Sequence, residues 1–89
     1  MSKLNRAVKV IQTSKKLVIT LLFDPSCEMA QVSLNDTPIE GGNYWDFESG
    51  DPRATVNALK AMVMAAGKVP EIVNVEKAYG INGEGWYGK

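Results

Sequence analysis

The stretch that decides the fold is DPRATVNALKAMVMAAG, residues 51–67. Asp51 stands where a helix needs an acceptor for the free amides of its first turn. Pro52 follows at the first helical position, where a missing N–H costs nothing. Gly67 can take the left-handed conformation that closes a helix. Between these signals Val56, Leu59, Met62, Val63 and Ala66 share one face at helical spacing, so the predicted helix runs from Pro52 to about Ala66. Ala54, Ala58, Ala61 and Ala65 form a second stripe, and Arg53, Asn57, Lys60 and Met64 occupy the rest. A helix on a single sheet needs only the bulky stripe. The alanine side, with Met64 beside it, is left as a second contact surface, close enough in backbone approach for a homodimer.

Strands are expected on both sides of this helix. Leu17 to Phe23 is apolar on both faces, as a central strand is, and Asp24-Pro25-Ser26 ends it. Ala30, Val32 and Leu34 alternate with Gln31 and Ser33, the pattern of a strand with one wet face. Asn35-Asp36 is a tight hairpin turn by residue type. Ile39 and Glu40 start a return strand that Gly41-Gly42 breaks, and Tyr44 to Phe47 resumes extended structure. Beyond Pro70, residues 71–76 read as a final strand. Residues 4–13 carry two signals. Leu4, Ala7, Val8 and Ile11 fall at helix spacing with Ser2 as a cap, but Val8, Val10 and Ile11 are β-branched and crowd a helical turn. The balance favours a strand. The expected architecture is α+β: an antiparallel meander of three to five strands, one amphipathic helix at about 52–66 on one face, and a last strand at about 71–76. With residues 4–13 helical, the order becomes α-β-β-β-α-β.

Length and composition bound the rest. A chain of 89 residues holds one core, here assigned to residues 1–78, with a Gly- and aromatic-rich tail at 79–89. Met1 to Arg6 has no apolar stretch of the secretory type, and the longest apolar runs are too short to cross a bilayer. The single cysteine, Cys27, cannot form an intramolecular disulfide and suits a reducing, cytoplasmic setting.

Formal net charge is zero, yet the charges are segregated. Residues 1–16 carry five cations and no acid; residues 17–52 carry seven acids and no Lys or Arg. Such blocks either make faces of opposite sign or neutralise one another.

Chemistry is sparse. There is no histidine, which removes the commonest general base and metal ligand. Cys27 lies between Ser26 and Glu28, an acidic setting that disfavours a thiolate. Nothing in the spacing of the ten carboxylates selects a catalytic pair. Gly83 to Gly88 matches G-x-G-x-x-G and Gly83 to Lys89 matches G-x-x-x-x-G-K, but both patterns work only with a helix after the loop, and none follows in the sequence. No enzyme, cofactor or metal site is expected.

Two aromatic clusters remain. Tyr44, Trp45 and Phe47 sit among Glu40, Asp46, Glu48 and Asp51, and Tyr79, Trp86 and Tyr87 sit among glycines. Some of these rings finish a small core; those that do not supply large contact area with few rotors. Acids around the first cluster repel phosphate and favour a protein partner with a basic patch. The leading expectation is therefore a non-enzymatic binding protein, an inhibitor or accessory factor of the size that phages and mobile elements encode, docking through Glu40, Tyr44, Trp45, Asp46, Phe47, Glu48 and Asp51. The alternative is nucleic-acid binding through Lys3, Arg6, Lys9, Lys15 and Lys16 with Trp86 and Tyr87, which net neutrality weakens. A further alternative is a homo-oligomer packed through the alanine stripe.

Overall fold

The computed structural model describes residues 4–24, 28–47 and 50–76. It is an α+β fold. In chain order come helix α1 (Asn5–Thr13), strands β1 (Val18–Asp24), β2 (Met29–Leu34) and β3 (Thr37–Asn43), a 3-10 turn (Tyr44–Asp46), helix α2 (Pro52–Ala65) and strand β4 (Glu71–Glu76). The strands form one mixed sheet in the order β3-β2-β1-β4. β1 and β2, and β2 and β3, are antiparallel, whereas β4 runs parallel to β1. A parallel neighbour cannot be reached by a hairpin, and α2 lies in the connection that brings the chain back. No described helix is long and apolar enough to cross a membrane.

α2 is built as its ends dictate. The Asp51 carboxylate accepts from the Arg53 amide at 2.9 Å, and Gly67 has φ +80°. Val56, Leu59 and Val63 are buried against β1 and β2, each worth about 1.5–3 kcal/mol of apolar burial. Met62 packs at the margin, while Ala66, expected on the buried face, is exposed just past the last turn. Ala54 and Ala58 are half-buried; Ala61, Ala65 and Met64 are exposed.

Residues 5–13 are a helix, not the expected strand. Helical spacing puts Ala7 and Ile11 into the same core as α2 and the inner sheet face. The intrinsic penalty of a β-branched residue in a helix is only a few tenths of a kcal/mol, less than one buried Ile returns. Its C-terminal carbonyls are also satisfied from far away: the Lys68 ammonium donates to Ile11 O and, at 3.1 Å, to Ser14 O. A cation there also suits the helix dipole.

The hairpin turns at Asn35, whose φ is +54°. Its main-chain N–H donates to Val18 O at 2.7 Å, and its carboxamide accepts from Val18 N at 2.9 Å and donates to Lys16 O at 3.2 Å. One side chain thus fastens the turn to the start of β1.

β3 differs most from its expected form. Val32 faces Glu40 and Ser33 faces Pro38, so Ile39 is an extra residue in the ladder, a β-bulge. The strand continues through Gly41-Gly42 to Asn43, and Tyr44–Asp46 then coils rather than extending. Gly42, at φ +134°, permits this: a Cβ there would lie 3.8 Å from Asp46, which folds back over it.

Candidate protein-docking surface

The bulge decides where the acidic-aromatic block points. Without it, side chains alternate and Ile39 and Glu40 face opposite ways. With it, both turn inward. Glu40 is 6% exposed, and its Oε1 accepts a 3.0 Å hydrogen bond from the hydroxyl of Thr55, itself 4% exposed. This buried bond fixes the middle of β3 to the first turns of α2. Glu40 is therefore structural, placed beneath the helix and away from any docking partner.

The 3-10 turn is pinned on both sides. Tyr44 N–H donates to Glu28 O at 2.9 Å, and Phe47 N–H donates to Tyr44 O at 3.3 Å. Phe47 is 3% exposed and belongs to the core; Tyr44 packs against that core half-buried. Between these two anchors Trp45 points outward and is 63% exposed. Asp46 and Asp51 are also exposed. Tyr44, Asp51, Pro52 and Arg53 line a small cleft over Leu21 and Phe23. Of the residues expected here, the structure thus brings Trp45, Asp46 and Asp51 to the surface with the edge of Tyr44, and withdraws Glu40 and Phe47. Glu48 lies outside the described residues.

Glu28 joins the turn through its carbonyl, sixteen positions before Tyr44 in sequence, and its exposed side chain adds an acid to this end of the sheet. Nothing in its sequence context pointed there. Its φ of +55° sets the left-handed step into β2.

Four of the alternative nucleic-acid residues fall on α1 and the turn that follows it. Arg6 and Lys9 are exposed on α1, and Arg6 donates to Pro38 O at 3.3 Å. Lys15 and Lys16 lie in the turn before β1, where Lys16 approaches Glu71 at 3.9 Å. Lys3, Trp86 and Tyr87 fall outside the described residues, as do Cys27 and the rest of the tail. Among the described residues no three or more His, Cys, Asp or Glu side chains are gathered to hold a metal ion.

No known protein family, curated protein or solved structure matches this chain.

Proposed function

We propose that the protein is a non-enzymatic binding module of the cytoplasm that docks on another protein bearing a basic patch, as an inhibitor or accessory factor. The observation that carries the reading is Trp45, a large aromatic held outward between two anchored neighbours. A tryptophan that only completes a core would be covered. One fixed by its neighbours presents its area without a large ordering cost, which is what interface anchors do. Asp46 next to it, and Glu28 and Asp51 exposed on the segments that meet its neighbour Tyr44, supply negative charge for steering and register. The single cysteine supports a reducing compartment.

The test is affinity capture from the native host, then titration of the captured protein against variants. Trp45→Ala is expected to weaken binding by about thirtyfold or more, the cost of a lost anchor. Asp46→Lys is expected to slow association and reduce its dependence on salt. Binding that survives both changes would place the contact elsewhere.

A further inference from the structure

The two sides of β4 are used unequally. Glu71 N–H donates to Leu17 O at 2.9 Å, so the main-chain groups of Glu71, Val73 and Val75 face β1. Those of Ile72, Asn74 and Glu76 alternate with them and face away, where no described strand pairs with them. α2 lies over β1 and β2, and leaves a groove between itself and β4. Leu21 and Val56 line its depth, with Arg53, Asn57, Ile72 and Asn74 along its rims. Ile72 and Val75 are 39% and 40% exposed, on opposite faces of the strand.

We propose that this edge pairs with the β4 of a second copy, antiparallel about a two-fold axis at Asn74, to make a continuous eight-stranded sheet. Backbone direction permits only registers in which outward-facing residues meet outward-facing residues. Centring on Asn74 sets Asn74 against its own mate and Ile72 against Glu76 in both directions, and uses the outward N–H and C=O of all three residues in each copy. Shifting the axis to Val73 sets Glu76 against Pro70, which has no N–H to give.

The side chains agree with this register. On the open face of the sheet Val73 meets Val75 of the other copy twice, joining four valines into one apolar strip. On the helix face the two Asn74 carboxamides meet at the axis. Each Glu76 sits opposite the other copy's Ile72, beside the stripe of α2 that carries Arg53, Asn57 and Lys60 at successive turns. Acid on the strand and base on the helix are thus complementary under the two-fold. That complementarity singles out a second copy as the occupant.

The full chain should sediment at about twice its 9.7 kDa mass at high micromolar concentration and dissociate on dilution. Asn74→Pro removes only an outward N–H, so it is expected to give a monomer with unchanged circular dichroism and a similar unfolding midpoint. Glu76→Lys and Lys60→Glu are each expected to weaken dimerisation, by about tenfold for two symmetry-related pairs, and the double variant to restore it. The restoration keeps the test decisive if the proline variant does not fold. A wild-type chain that stays monomeric to millimolar concentration overturns the proposal. So does a folded Asn74→Pro dimer, or a dimer broken by Ala61→Arg but indifferent to the charge exchange, which assigns the contact to the alanine stripe. Protection of the Ile72, Asn74 and Glu76 amides only on adding a different protein also overturns it.

Discussion

The sheet ends in two strands of similar length, seven residues in β3 and six in β4, and the chain treats them in different ways. On β3 the outward side is obstructed at several points. Pro38 faces outward with no N–H to offer, and its carbonyl is occupied by the Arg6 guanidinium. Ile39 breaks the ladder with a bulge, and α1 packs along the strand. Proline, bulges and covering helices are the devices by which proteins keep an edge from recruiting other strands. β4 has none of them among the described residues. It has Ile72, Val73, Asn74 and Val75 between Glu71 and Glu76, a regular parallel ladder on one side and no described strand paired on the other. An edge protected by at least three devices beside one with a glutamate at each end is the asymmetry on which the proposed pairing of β4 rests.

The largest way to break this contrast is to truncate matching isoleucines. Ile39→Ala empties a fully buried site at the bulge and is expected to cost about 2–4 kcal/mol, read by urea unfolding. Ile72→Ala, on the open edge, is expected to cost under about 1 kcal/mol in the dissociated chain, because much of that side chain already meets water. Equal losses would show that β4 is covered in solution by something more than its groove.

Next in size is the bond that holds the bulge under α2. Thr55→Val keeps the volume but takes away the hydroxyl that donates to the buried Glu40 carboxylate, and should destabilise by about 1–3 kcal/mol. Thr55→Ser should recover most of the loss. If valine is neutral, the bulge is held by packing alone.

The smallest change in stability should come from Arg6→Gln with Pro38→Thr, about 0.5 kcal/mol in either direction for exposed positions. Its value lies in association. The pair removes two obstructions from β3, and sedimentation should then reveal concentration-dependent species that the parent chain lacks. No new association would leave the bulge and α1 as sufficient protection.

How much of this was legible in sequence depended on how local each cause was. α2 was readable because Asp51, Pro52 and Gly67 act within a turn of the helix they bound. The hairpin was readable for the same reason, since Asn35 carries its own left-handed tolerance. β4 was readable as a strand, but its parallel pairing was not, because direction is set by where α2 delivers the chain. In α1 local preference and burial disagree: Val8 and Val10 favour a strand, while Ala7 and Ile11 reach the core on one face of a helix. The candidate docking block is contiguous in sequence and split in space. One inserted residue, Ile39, turns Glu40 inward, and no residue type announces a bulge in advance. Trp45 stands out in the sequence as a large aromatic among acids, but its exposure follows from the anchoring of Tyr44 and Phe47 beside it.

Lys68 has a consequence in time as well as in space. The helix end it secures lies 57 residues earlier in the chain. At translation rates of about 5–20 residues per second, that interval is about 3–11 s. α1 therefore leaves the ribosome well before its last turn can be tied down, and before α2 exists to complete the core it packs into. Its early lifetime belongs to the solvent and to whatever meets a nascent chain, so the element made first among those described is secured only when one of the later ones arrives.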